Sequence, residues 1–140
     1  MNRVIPLITG LTVLTSTALA EPVSVTLEGV EARGGILYVG VQTEDQFMQQ
    51  GGIAGDIIRE PTSGTLTFDF DLPEGTYALS VWHDIDSDDQ FDVDETGRPT
   101  DGWAMINGTS LRGEPRFYDV SFTVDSDGAT VSEAMIYPAP

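Results

Sequence analysis

Residues 65–83 read T-L-T-F-D-F-D-L-P-E-G-T-Y-A-L-S-V-W-H. Apolar and polar residues alternate through Thr65 to Asp71, placing Leu66, Phe68 and Phe70 on one face. That period of two is the mark of a half-buried strand. Leu72 to Gly75 is a tight turn, and Thr76 to His83 is a second strand with Tyr77, Leu79 and Val81 inward. Trp82 then faces away from the core. Outward from this pair the pattern repeats. Val23 to Gly29 alternates, Gly34 and Gly35 make a turn, and Ile36 to Val41 is apolar enough for a central strand. Ile53 to Arg59 is a weaker strand. Arg116 to Asp125 carries Phe117, Val120, Phe122 and Val124, with an irregularity near Asp119. Asp125 to Gly128 signals a hairpin, and Ala129 to Tyr137 is the last strand. Glu44 to Gln50 is one helical turn or a loop. The expectation is an all-β fold: an antiparallel β-sandwich of about seven strands, with a barrel as the alternative.

The second strand runs straight into D-I-D-S-D-D-Q-F-D-V-D-E, residues 84–95, with seven acids in twelve positions. Asp84, Asp86, Asp88, Asp92 and Glu95 fall at positions 1, 3, 5, 9 and 12 of a calcium-binding loop. Gln90 at position 7 would offer its backbone carbonyl. Calcium takes 6–8 oxygens in flexible geometry, and acids at alternate positions of a loop can wrap it. Position 6, which wants Gly at positive φ, is Asp89, a residue that tolerates the left-handed region. Phe91 is apolar and expected to pin the loop to a core. The flanks are strands, so this is no helix-flanked EF-hand domain.

The chain has 140 residues, a formal net charge of −17, no Cys, no Lys and one His. Such a charge repels nucleic acid and anionic membranes and suits multivalent cations or basic partners. Acidic, Lys-free composition also accompanies salt adaptation; spread acids would reflect salt, whereas a dense local run asks for a local cause. Without Cys there is no disulfide, and one His without Cys excludes a His-rich zinc site. Residues 1–20 read as a signal peptide: Arg3, an apolar run, and Ala18-Leu19-Ala20 as the cleavage site. Residues 21–140 would form one domain, periplasmic or secreted, with no membrane insertion.

Residues 72–84 then carry a resemblance. Their L-P-E-G-T-Y-A-L-S-V-W-H-D is similar to the L-P-x-G-x-Y-A-x-x-x-x-H-D segment of small exported bacterial proteins grouped as domain of unknown function 2141. Gly97-Arg98-Pro99, Asp101-Gly102-Trp103 and Phe117 to Phe122 match further parts of that pattern. The resemblance implies an exported β-sandwich and no particular activity. The strand carrying Pro73, Gly75 and Tyr77 is also similar to transthyretin-like and carboxypeptidase-regulatory-like sandwiches, which implies an immunoglobulin-like or transthyretin-like fold.

His83, beside Asp84, reads either as a general base or as a strand-end residue hydrogen-bonded to the loop and supporting the ligands from behind. Asp101 is a candidate for an additional ligand or for holding a metal-bound water. Trp82, Trp103 and Tyr118 either form a sugar-stacking surface, or Trp82 and Trp103 pack on each other over the loop. The resulting expectation is an exported, calcium-stabilised module with a structural or binding role and no catalysis. Its protein or carbohydrate partner is open. The alternatives are a small hydrolase using His83 and Asp84, and a carbohydrate-binding module using Trp82 or Trp103.

Overall fold

The computed structural model describes residues 19–139. Eight strands follow in order: β1 (Ala20–Val30), β2 (Ile36–Gln42), β3 (Ala54–Arg59), β4 (Gly64–Pro73), β5 (Gly75–Asp84), β6 (Gly102–Met105), β7 (Ser121–Val124) and β8 (Ala129–Ala134). They form two sheets. The first has the order β4-β1-β8; the second has β3-β2-β5-β6, with β7 also on β5. Strand β5 pairs with β7 through Gly75 to Ala78 and with β6 through Ser80 to His83, so β6 and β7 lie end to end along one side of it.

The alternating residues dictate the packing. Val23, Val25 and Leu27 of β1 meet Leu37, Val39 and Val41 of β2 and Tyr77, Leu79 and Val81 of β5 in one core that joins both sheets. Full burial of each such aliphatic side chain stabilises the fold by about 1.5–3 kcal/mol. The β-sandwich is as expected, with one correction: it is not wholly antiparallel, because β1 and β8 run parallel from Val23–Ala129 to Glu28–Ala134. Trp103 and its neighbours, read only as a short apolar piece, form β6, which brings the strands among the described residues to eight. The irregularity near Asp119 is a 3-10 turn over Phe117–Asp119, and the segment after β2 holds another over Glu44–Gln46.

Beyond β8 the chain crosses to the second sheet. Ile136 exchanges both backbone hydrogen bonds with Trp103 of β6, at 2.9 and 2.8 Å. Tyr137 is thereby delivered beside the end of β5. The expected leader lies outside the described residues except for Leu19 and Ala20, and Ala20 already pairs with Pro73. No helix among the described residues is long and apolar enough to cross a membrane.

Candidate metal centre

The end of β5 is held from two sides. Gly34-Gly35 leads into β2 at positive φ, 72° and 68°. A Cβ on Gly35 would collide with the backbone carbonyl of Asp84, so only glycine allows the approach. His83 is fully buried, and its Nε2–H donates to the Gly34 carbonyl at 2.6 Å. The acceptor there is a carbonyl, which fixes the tautomer: Nδ1 accepts from the Tyr137 hydroxyl at 2.8 Å. That hydroxyl accepts the Glu31 N–H in turn. His83 therefore points into the sandwich with Leu79 and Val81, and its partners are Gly34 and Tyr137. The expected bond to the acidic loop is not made, because strand alternation sends His83 to the face opposite Trp82 and Asp84.

Asp84 ends β5 on the outer face and is 1% exposed; Asp101, just before β6, is 2% exposed. The β5–β6 register pairs His83 with Gly102, so one step further brings Asp84 opposite Asp101. The loop between them folds back over these two carboxylates. Asp84 accepts the Asp88 N–H at 3.3 Å and the Asp89 N–H at 3.0 Å. Asp101 accepts the Ile85 N–H, the Asp92 N–H and, at 2.9 Å, the Trp82 Nε1–H. Asp89 takes φ of 62° and Ser87 of 56°, the left-handed turns that let the backbone curl.

Carboxylate oxygens then converge in two triads. One is Asp84, Asp88 and Asp101; the other is Asp86, Asp88 and Asp92; within each triad the oxygens lie within 4.8 Å of one another. Asp88 belongs to both. Burial pushes the Asp84 carboxyl up. A hydrogen bond with Asp88 pushes Asp92 up to about 6, and the Gln90 N–H holds Asp88 down.

Asp84, Asp86, Asp88 and Asp92, all expected as ligands, thus come together, and Asp101 joins them. Glu95 belongs to neither triad. It sits on a small separate turn in which Asp94 accepts from the Thr96 N–H, the Thr96 hydroxyl and the Arg98 N–H, and Val93 bridges Pro99. Gln90 is exposed, and its N–H serves Asp88. Phe91 reaches no core: it is 49% exposed and meets the Trp82 ring edge-on at 6.5 Å. Trp82 and Trp103 are direct cross-strand partners on the outer face, and Trp82 stacks on Tyr38 at 5.1 Å. Tyr118 lies apart, bonded to Glu44.

The donor set is all oxygen, and five carboxylates with backbone carbonyls or water suit a hard cation of high coordination number. Neither Asp84 nor Asp101 makes a salt bridge among the described residues.

The sequence profile of a bacterial family described as "Uncharacterized protein conserved in bacteria (DUF2141)" matches residues 25–132. The chain belongs to the DUF2141 family. The match runs from β1 to β8 and takes in the whole acidic loop with Asp84 and Asp101 at its ends. Neither the curated proteins nor the solved structures give a match.

Proposed function

We propose that this DUF2141 protein is an exported β-sandwich module that calcium stabilises, with a structural or binding role and no catalysis. One observation carries the reading: Asp84 and Asp101 are almost wholly buried side by side, yet make no salt bridge with a cationic side chain among the described residues. Buried charges in proteins are paired or coordinate metals, since an uncompensated one costs several kcal/mol. Salt adaptation accounts for acids on a wet surface; these two accept loop N–H groups and the Trp82 indole, which satisfy their oxygens but supply no balancing positive charge. Asp84, Asp88 and Asp101 would hold the ion from the sandwich side, and Asp86 and Asp92 from the solvent side. The ion would cross-link the end of β5 to the start of β6 in a chain that lacks disulfides.

The hydrolase alternative is disfavoured by His83. Both of its ring nitrogens are engaged and it has no exposed surface from which to take a substrate proton. Terbium, a luminescent ion that occupies calcium sites, tests the reading. Excitation of Trp82, bonded to Asp101, should sensitise bound terbium, and calcium should displace it while magnesium does so poorly. Emission that persists unchanged in Asp88→Asn would contradict the site.

A further inference from the structure

The outer face of the second sheet holds a groove of about 1040 Å³ next to the acidic loop. Its floor is bare. Gly40 of β2 pairs with Gly55 of β3 on one side and with Ser80 of β5 on the other. Around that floor stand the Tyr38–Trp82 stack, Trp103 and Met105. The loop after β2 closes one end with Met48, and the acidic loop closes the other with Asp89 and Phe91. Three of the large apolar side chains that the fold leaves exposed, Met48, Ile57 and Phe91, line this one space. Apolar side chains gathered around a concave surface mark binding sites.

The chemistry of the lining narrows the occupant. Of its polar groups, the Gln42 amide is engaged, donating to the carbonyls of Gln49 and Gly51 and accepting from the Ser80 hydroxyl. The lining is predominantly apolar, which favours an occupant with an apolar body over a sugar. The charge is one-sided. Asp89 and, on β3, Asp56 line the groove, the other loop acids stand behind Asp89, and no cationic side chain lines it among the described residues. Even a divalent ion in the loop leaves an excess of carboxylates at that end. We propose that this groove binds an amphiphilic organic cation, its apolar body over the Gly40 floor and its positive group at the Asp89 end. This inference stands apart from the identity of the ion in the loop.

Gly40 supplies the decisive variant. A Cβ there meets only the Ser80 carbonyl oxygen at 3.6 Å, an ordinary contact, so the backbone admits a side chain and Gly40→Val projects one onto the floor. Both tryptophans of the chain, Trp82 and Trp103, line the groove, so their emission reports occupancy. The full chain, in buffer of fixed calcium, is titrated with octyltrimethylammonium, octan-1-ol and octyl sulfate, each below its micellar concentration. The expected result is a saturable change with the ammonium probe, about ten-fold tighter than with the sulfate, and weakened by sodium chloride. Gly40→Val should loosen it about ten-fold with an unchanged circular dichroism spectrum. Phe91→Ala, a change at an exposed side chain, should also loosen it and carries the test if Gly40→Val folds poorly. Equal affinity for the ammonium and sulfate probes, or affinity unchanged in the folded variants, would overturn the proposal.

Discussion

Asp84 and Asp101 lie opposite one another because His83 pairs with Gly102 in the β5–β6 ladder. Two carboxylates that flank a long loop are thereby buried together at its neck, and the loop amides of Ile85, Asp88, Asp89 and Asp92 bond to them. The ladder places the negative charge, and the loop is wound around it.

Asp101 should therefore matter more to the ion than Glu95. Asp101→Asn and Asp88→Asn are each expected to weaken calcium binding by about ten-fold or more, since each removes a full charge from the converging oxygens. Glu95→Gln should leave the affinity within a few-fold. Titration calorimetry on chelator-treated protein measures all three. A larger loss at Glu95 than at Asp101 would show that the loop closes on the spacing of residues 84–95 alone.

Much of this arrangement is legible in the sequence, but not all. The run of acids after β5 names Asp84, Asp86, Asp88 and Asp92 directly, because neighbours in a tight loop must be close in space. Asp101 requires knowing that four residues, Gly102–Met105, form a strand against β5, within a stretch whose Gly and Pro content reads as loop. Glu95 misleads because its spacing assumes a loop entering a helix, whereas Asp94 here turns the chain into its own small hairpin. The parallel β1–β8 pairing is a tertiary matter that no local pattern encodes. His83 was readable: it continues the inward series Tyr77, Leu79, Val81, and alternation alone points it away from the acids.

The proton balance of the loop gives a pH dependence. Asp92 in the folded, metal-free protein titrates at about 6, above its ordinary value of 3.8, first because of its hydrogen bond with Asp88. A raised folded-state value means the folded form keeps a proton that the unfolded chain releases over that interval. The group favours folding below about pH 4, and its contribution is lost as pH rises through about 6. The raised Asp84 carboxyl acts in the same direction, and the lowered Asp88 carboxyl opposes it. Calcium bound as proposed would have to displace the Asp92 proton, so its affinity should fall as pH drops through about 6. Calcium added near that pH in weak buffer should release protons; no release, with affinity flat across the range, would exclude Asp92 from the site.

His83 should act through stability alone. His83→Ala leaves a buried Gly34 carbonyl and the Tyr137 hydroxyl without their partner, along with a cavity. The expected loss is about 2–4 kcal/mol in denaturant unfolding. Tyr137→Phe, which keeps the ring and removes one hydrogen bond, should lose about 1–2 kcal/mol. Any substrate turnover by the wild type that His83→Ala abolishes would instead make it a catalytic group.

Gly35 should tolerate no side chain. Gly35→Ala places a methyl against the Asp84 carbonyl and forces a non-glycine residue to φ of 68°, so a loss of about 2 kcal/mol or more is expected. Because the clash falls on Asp84, calcium affinity should drop with stability. Gly34→Ala shares the positive φ but has open space around its Cβ, so it should cost about 1 kcal/mol and leave calcium binding nearly intact.

The central claim is that an ion, and not ionic strength, closes the acidic loop, and a thermal melt tests it most directly. The chain is melted in chelator, in calcium and in magnesium, all at the same high sodium chloride concentration, beside Asp88→Asn. A ligand at about 100 times its Kd adds roughly 2.7 kcal/mol to the folded state. For a domain of this length that raises Tm by roughly 10 °C. The account predicts that shift with calcium, a smaller one with magnesium, and little in Asp88→Asn. A calcium shift reproduced by sodium chloride alone, or retained in full by Asp88→Asn, would contradict it.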